Sequence, residues 1–273
     1  SSIAHHSASL HDPDPRPMVK LEVDSRSFDV QDGTTLGALF AEKYPEAFRL
    51  GVAAKLNGRL VDFHTPIHES GRLEFVPVES AEGLAVLRHS TSHLMASAVV
   101  KLFPEAKLAI GPAIEEGFYY DFQVDRPFQP EDLERIEKTM HEIAEENHLF
   151  ARGELSRDEA LRRYKEKNEP FKVELIEGIP DSTVSTYTHS FFTDLCRGPH
   201  VPRTKMLKTF KLLSVAGAYW RGDSSRPMLQ LIYGTAVPDR KRLEEHLHRI
   251  EEAKKRDHRK LGRELDLYSV HEE

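Results

Sequence analysis

Four side chains that can bind a metal or activate water stand in two short, regularly spaced pairs. His89 and His93 form an H-x3-H pair, and Cys196 and His200 form a C-x3-H pair. A spacing of four places both imidazoles of the first pair on one face of a helix. Imidazole and thiolate groups bind zinc, and imidazole also assists proton transfer from water. The two pairs therefore indicate either a tetrahedral zinc site or a metal-free cleft that holds a water beside an ester.

The two pairs differ in how readily chance explains them. Fifteen histidines in 273 residues give about one H-x3-H pair by chance. His64 and His68 are a second instance, although Pro66 between them argues against a helix. The single cysteine has a histidine at this offset with a chance of roughly 5%, and Gly198-Pro199 between the two predicts a tight turn. The C-x3-H pair is the stronger signal, and its structural alternative is a buried thiol beside a surface histidine.

Periodic segments around these pairs predict the elements that position them. LAVLRHSTSHLMASAVVKLFP has helical periodicity and should form one long helix that ends before Pro104. PEDLERIEKTMHEIAEEN predicts a second helix, and SRDEALRRYKEK a third that Ser156 and Glu159 open as a capping box. Strands are predicted in FKVELIEG, TVSTYTHSFFTDLC, FKLLSVAGAYW and MLQLIYGTA. Together these segments predict an α+β domain over residues 81–238.

A smaller unit is predicted over residues 18–80. VKLEV and SFDV form a hairpin pattern, LGALFAEKYP follows as a short helix capped by Thr34 or Thr35, and VAAKLNGRLVDF and LEFVPV are strand-like. An Asn57-Gly58 turn interrupts the segment VAAKLNGRLVDF. The resulting ββαββ order resembles a ubiquitin-like β-grasp module of the TGS kind, for which we expect an accessory or RNA-contacting role.

Both ends of the chain differ from these units. Residues 1–17 have neither an apolar core nor a cleavage-site pattern and are interpreted as a leader before Met18. Residues 239–273 begin as a long charged stretch without proline, which predicts a linker helix.

Composition is that of a globular protein with two ordinary domains. The chain is 39% hydrophobic and 30% charged, and no stretch has the apolar length of a membrane span. A lone cysteine cannot form an internal disulfide, which fits a reducing, cytoplasmic location. The net charge of −7 argues against indiscriminate nucleic-acid binding, although charge distribution matters more than the sum.

Four longer motifs give a resemblance to a known family. HSTSH (89–93), AIGPAIEEGFYYDF (109–122), DLCRGPHVP (194–202) and AGAYWRGDSS (216–225) are similar to the editing domain of bacterial threonyl-tRNA synthetases. KRDHRKLGRELDLY resembles the linker helix that leads into the catalytic core of those enzymes. Alanyl-tRNA synthetase editing domains share the two histidine-containing pairs, but the RGPH and AYWRGD surroundings fit the threonyl family better. The resemblance extends from Met18 to the last residue.

The resemblance implies a hydrolase that takes part in protein biosynthesis by proofreading. Its partner would be tRNA(Thr) that carries serine, and its reaction would be metal-independent attack of water on the aminoacyl ester. The alternatives are a zinc-dependent deacylase of the alanyl type and a non-catalytic tRNA-binding fragment. Class II synthetase motifs are missing from the sequence, so no amino-acid activation is expected. We expect a truncation of a longer enzyme rather than a free-standing editing protein. We expect the longer enzyme to be a homodimer and this chain to be a monomer.

Eight side chains match the functional positions of the family. Lys172 and Asp194 would position the attacking water, while His89 and His200 would hold the ribose and carbonyl or relay a proton. The predicted substrate-binding residues are His93, Tyr120, Tyr187 and Cys196, the last as a packing group rather than a nucleophile. No cofactor is expected; if zinc is bound, its ligands would be His89, His93, Cys196 and His200. An exposed Lys–Asp pair and half-buried tyrosines are the structural alternatives.

Overall fold

The computed structural model describes residues 16–269, and the side chains among them up to residue 265. Most of the predicted leader, residues 1–15, therefore lies outside the described residues. Within the described range, none of the helices combines the length and apolar character needed to cross a membrane.

A five-stranded mixed sheet forms the first part of the molecule. Its spatial order is β2-β1-β5-β3-β4, with β1 parallel to β5 and the other pairs antiparallel. The strands are β1 (Met18–Val23), β2 (Arg26–Gln31), β3 (Gly51–Leu56), β4 (Arg59–Asp62) and β5 (Gly71–Pro77). Asn57 and Gly58 both have positive φ (51° and 80°), which is the backbone that a two-residue hairpin turn requires. The predicted turn is confirmed, and it splits one predicted strand segment into β3 and β4.

Two short helices cover this sheet. Helix α1 (Leu36–Lys43) begins at Thr35, whose side chain accepts a hydrogen bond from Ala38 N, as predicted. Helix α2 (Pro45–Leu50) follows directly and was not predicted; Pro45 ends α1 but also suits the first position of a new helix. The Phe40 ring packs at 5.3 Å from Phe63 and 4.5 Å from Phe75. The core of this part is therefore apolar and rich in aromatic rings.

Helix α3 (Ala81–Leu102) is the central element of the second part, as predicted. Ser80 caps it by accepting from Gly83 N, and its middle turns are buried on all sides. It contacts α4 (Pro130–Glu145) and a sheet of order β12-β13-β8-β6, on which β7 also pairs with β8. The strands are β6 (Lys107–Leu108), β7 (Ala113–Ile114), β8 (Gly117–Gln123), β12 (Phe210–Tyr219) and β13 (Met228–Ala236).

A three-stranded sheet of order β11-β10-β9 lies beside these elements. It consists of β9 (Ala151–Ser156), β10 (Thr183–His189) and β11 (Phe192–Leu195), with α5 (Arg157–Glu166) inserted after β9. Ser156 caps α5 by accepting from Glu159 N, which confirms the predicted helix start.

The prediction of a strand in FKVELIEG was wrong. Residues Pro170–Glu177 form helix α6, with the proline at its first turn. Its buried positions are Phe171, Lys172 and Ile176, a spacing of four to five that fits a helix and not the alternation of a strand. The short apolar run resembled a strand because periodicity alone does not separate the two over so few residues. The helix directs Lys172 into the interior.

Several sheets with helices grouped beside them confirm the predicted α+β class. Helix α7 (Arg240–Ser269) ends the described chain and starts close to the predicted Asp239. The TGS identity of the first part, the linker role of α7 and the domain boundaries stay predictions.

Candidate active site

The H-x3-H and C-x3-H pairs, predicted from separate segments, come together in the structure. His89 and His93 lie on one face of α3, while Cys196 and His200 lie in the turn after β11. His93 Nε2 is 3.2 Å from His89 Nε2, and Cys196 Sγ is 3.5 Å from His89 Nε2 and 3.1 Å from His200 Nε2. One ligand atom from each residue lies within 4.8 Å of the others. The structure therefore brings these four side chains together.

The second nitrogen of each ring in this cluster has its own partner. His89 Nδ1 lies 3.2 Å from Pro199 O, and His200 Nδ1 lies 3.0 Å from Ser90 Oγ. His93 Nδ1 lies 3.1 Å from Asp194 Oδ2. All three Nε2 atoms are thereby directed to one point. Tetrahedral zinc ligands with bonds of about 2.0–2.3 Å lie about 3.3–3.8 Å apart, and outer partners of this kind orient metal-binding histidines. The residues fit a zinc ion.

A buried ionic network adjoins the cluster. Lys172 Nζ lies 2.8 Å from Asp194 Oδ1 and donates a 2.9 Å hydrogen bond to Tyr120 OH. Tyr120 OH in turn donates to Asp194 Oδ2 at 2.6 Å. The Lys172 and Asp194 side chains are only 4% and 1% exposed, so the alternative of a weak surface pair does not describe them. Such a pair in the interior is costly to break from one side.

The Asp194 carboxylate is held in place by charged neighbours. Its buried Oδ1 atom lies 2.8 Å from the Lys172 ammonium, and its Oδ2 atom lies 3.1 Å from His93 Nδ1. Burial raises the pKa of Asp194, but Lys172 and His93 lower this pKa by a larger amount and hold it well below its usual range. Asp194 is therefore held as a carboxylate in the lining of the cleft.

The thiol and the imidazole of the cluster shift each other's ionisation. Burial raises the pKa of Cys196, but His93 and His89 lower it below that of an ordinary thiol. Burial lowers the pKa of His93, but Cys196 and Asp194 raise it above its usual value. Burial, followed by the charges of His89 and His93, holds the pKa of His200 well below its usual value. The cluster thus favours a thiolate, one imidazolium and one neutral imidazole.

A cleft of about 360 Å³ opens onto these groups. Its lining includes His89, His93, Tyr120, Lys172, Asp194 and Cys196. Two further predicted residues lie behind that lining: His200 is fully buried, and the Tyr187 hydroxyl donates to Asp62 Oδ2 at 2.5 Å. The Tyr187 ring packs 4.6 Å from the His200 ring. Six of the eight predicted residues therefore line one cleft, and two support it.

Two glycines shape the walls of the cleft. Gly198 has φ +73°, and a Cβ there would lie 2.5 Å from Tyr187 OH. A Cβ on Gly111 would collide with the Tyr120 ring. Both positions bring backbone against an aromatic side chain of the site, which explains why a larger residue does not fit.

Sequence reasoning missed two polar residues of the site. Ser90 lies between the paired histidines and contacts His200, but serine is common in helices and carried no signal. Asp62 lies on β4, in the other part of the molecule, and donors 125 and 138 residues away reach it. No spacing rule connects such distant positions.

The chain is similar to parts of known proteins. Residues 184–233, which include β10, β11 and the C-x3-H turn, match the family model of the threonyl and alanyl tRNA synthetase second additional domain. A threonine–tRNA ligase of Citrifermentans bemidjiense is 57% identical over 225 residues, covering 82% of this chain and 35% of the relative. Those of Pelobacter propionicus and Clostridium botulinum (strain Hall) are 52% and 51% identical over 250 and 258 residues, covering 92% and 94% of this chain and 39% and 41% of the relatives.

The fold and the matched segment define a domain of the class shared by threonyl and alanyl tRNA synthetases. Identity above 50% over most of the chain narrows this assignment, and the chain belongs to the threonine–tRNA ligase family. It spans 35–41% of the length of these relatives.

Proposed function

We propose that this chain hydrolyses the ester bond of Ser-tRNA(Thr) in a metal-independent reaction, as the editing region of a threonyl-tRNA synthetase. The observation that carries the proposal is the buried Lys172–Asp194–Tyr120 network at the cleft, in which Lys172 Nζ lies 2.8 Å from Asp194 Oδ1 and Tyr120 OH donates to Asp194 Oδ2. A fixed carboxylate of this kind can hold a water molecule or the amino group of the seryl ester. The neighbouring ammonium supplies positive charge where the ester oxygen becomes an anion.

Roles for the remaining groups follow from their chemistry. Water positioning is assigned to Lys172 and Asp194. His89 faces the cleft and is assigned to the ribose and carbonyl, while His200, held neutral and buried, acts through the cluster as a support or proton relay. Cys196 packs and orients these rings. Its thiolate is paired with imidazole on either side, and the proposal requires no covalent thioester on it.

Serine selectivity requires a site that discriminates by size. A synthetic pocket that binds threonine rejects the smaller serine by only about 10–200-fold, because a single methyl group distinguishes them. A hydrolytic pocket that admits serine and excludes the methyl supplies the missing discrimination. The cleft of about 360 Å³ adjoins a second crevice of about 620 Å³, and both are lined by Ile110, Leu175, Leu195, Cys196 and Arg197. Together they offer room for a seryl group and the terminal adenosine.

A zinc-dependent deacylase is a second candidate, favoured by the four converging ligand atoms. His89, His93, Cys196 and His200 would hold the ion. Bound zinc would polarise the ester carbonyl or acidify a water. In this case Asp194 would orient His93 rather than hold the attacking water.

We also propose a role for each of the three segments of the chain. Residues 18–80 are proposed as a TGS-type accessory module, residues 81–238 as the editing domain, and residues 239–273 as a linker helix. The proposed partner is the acceptor end of tRNA(Thr) in the cytoplasm. A homodimer is proposed for the longer enzyme.

Release of serine from purified Ser-tRNA(Thr) tests the proposal. We expect hydrolysis well above the spontaneous rate, unchanged after chelator treatment when metal analysis finds less than one zinc per ten chains. Loss of activity with the metal, and its return with zinc alone, would transfer the assignment to the zinc-dependent candidate. Salt-dependent tRNA binding without hydrolysis would contradict both.

A further inference from the structure

Asp62 is a buried carboxylate at the end of β4, outside the part of the molecule that contains the cleft. It is 1% exposed. Its Oδ1 atom accepts hydrogen bonds from the backbone N–H groups of His64 and Thr65, both at 3.0 Å, and from the Thr65 hydroxyl at 2.8 Å. These three local bonds fix the direction of the carboxylate.

The other oxygen of Asp62 reaches into the second part of the molecule. Oδ2 accepts from Tyr187 OH at 2.5 Å and from the backbone N–H of His200 at 3.0 Å. A further contact lies beside it, where His64 Nε2 is 3.2 Å from Val201 O. Hydrogen bonds to a buried carboxylate are stronger than those between neutral groups. This carboxylate therefore ties the C-x3-H turn to the first sheet.

The turn that Asp62 holds is the one that presents the thiol and the buried imidazole. Cys196 Sγ accepts from Gly198 N at 3.2 Å and lies 3.1 Å from His200 Nε2. A Cβ on Gly198 would lie 3.1 Å from Asp62 Oδ2, so the turn rests directly on this carboxylate. The position of this turn relative to α3 determines how closely Cys196 and His200 approach His89.

We propose that Asp62 is a positioning residue for the cleft, through which the first sheet sets the geometry of the Cys196–His200 turn. The consequence for hydrolysis rests on the proposed function, whereas the consequence for the turn does not. A displacement of reacting groups by about 1 Å costs about a hundredfold in rate. Loss of the Asp62 carboxylate should therefore lower kcat and affect substrate binding less.

The single cysteine makes the turn measurable without a substrate, because alkylation by iodoacetamide reports on Cys196 alone. The test compares the wild-type chain with Asp62→Ala, the near-isosteric Asp62→Asn and Tyr187→Phe. Glu82→Gln is the matched control, because Glu82 also joins the two parts through a 2.6 Å ion pair with Lys55, away from the cleft. Only variants that unfold cooperatively well above the assay temperature are scored.

We expect Asp62→Ala and Asp62→Asn to change the alkylation rate several-fold and to lower kcat for Ser-tRNA(Thr) about tenfold or more, with KM within about twofold. Tyr187→Phe should change the alkylation rate in the same direction. In the double variant Asp62→Asn/Tyr187→Phe, the effects of the two substitutions on the alkylation rate should not add, because both act on the same hydrogen bond between Tyr187 and Asp62. Glu82→Gln should match the wild type in both measurements.

Wild-type alkylation and kcat in the folded Asp62→Asn and Tyr187→Phe variants would overturn the proposal. An equal change in Glu82→Gln would also overturn it, because the effect would then belong to the junction as a whole. If the wild-type chain does not hydrolyse the ester, the proposed function fails, and the alkylation rates alone decide whether Asp62 positions the turn.

Discussion

The two parts of the molecule bury different kinds of side chain. Among the described residues 16–80, Asp62 is the only buried polar or charged side chain, and the core is formed by apolar and aromatic groups such as Phe40 and Phe63. Within the described residues, the second part buries one lysine, three aspartates and four histidines, namely Lys172, Asp121, Asp132, Asp194, His93, His189, His200 and His246. Burial of charge costs free energy unless it is paired. The first core stabilises a fold, whereas the second maintains reactive groups in a fixed arrangement.

Removal of the buried ammonium should have the largest effect. Lys172→Met keeps the aliphatic stem but leaves the Asp194 carboxylate without its closest cation. We expect hydrolysis of Ser-tRNA(Thr) to fall about 100–1,000-fold and the free energy of unfolding to fall by about 3–5 kcal/mol.

Single-turnover hydrolysis and denaturant unfolding measure these two changes. Lys211→Met is the matched control, since Lys211 forms an ion pair with Glu137 at the surface, with its side chain 48% exposed. Equal behaviour of the two variants would remove the distinction between the charged core and the surface.

Truncation in the apolar core should lower stability alone. Phe40 is fully buried and packs against the rings of Phe63, Phe75 and Tyr44. Phe40→Ala should reduce the free energy of unfolding by about 3–5 kcal/mol. Hydrolysis per folded molecule, measured well below the unfolding midpoint, should be unchanged. A large fall in kcat without unfolding would mean that this core also contributes to the reaction.

A smaller, pH-dependent effect is expected from His189. This residue lies on β10 between Phe150 and Phe192, and among the described residues its Nε2 has no hydrogen-bond partner. Burial, with smaller contributions from His93 and His148, lowers its pKa to about 3. Below its ordinary pKa of about 6.5, the unfolded chain takes up a proton that the folded chain does not.

His189 should therefore reduce stability as the pH falls from about 6.5 towards 3, by at most about 1.4 kcal/mol per pH unit. Denaturant unfolding of the wild type and of His189→Phe between pH 4 and 7 measures this contribution. The variant should have the flatter dependence on pH in that range. Parallel curves would show that His189 is protonated in the folded chain or has its ordinary pKa.

Local signals in the sequence were sufficient for most elements and for each of the two histidine-containing pairs taken alone. The caps at Thr35 and Ser156 and the Asn57-Gly58 turn depend on neighbouring residues only, so sequence patterns identify them. His89 and His93 needed only a helix, and the C-x3-H pair needed only a tight turn. The chemistry of the four residues suggested a shared site, but no local rule places the two pairs together, and the choice of an editing site came from family resemblance.

The misassigned and missed features depend on tertiary contacts. The run from Phe171 to Ile176 is too short for its period to be decisive, and its helix buries Lys172 against Asp194, a partner from a distant segment. Asp62 has no local signature, because its partners at Tyr187 and His200 come from a different part of the chain. Tertiary packing decided both cases.

The relative rate of hydrolysis of Ser-tRNA(Thr) and Thr-tRNA(Thr) by the purified chain tests the central claim most directly. A cleft that binds the seryl group through Lys172 and Asp194 but has no room for a further methyl should hydrolyse the seryl ester at least about a hundred times faster, judged by kcat/KM. Equal rates for the two esters, or no hydrolysis of either, would contradict the account.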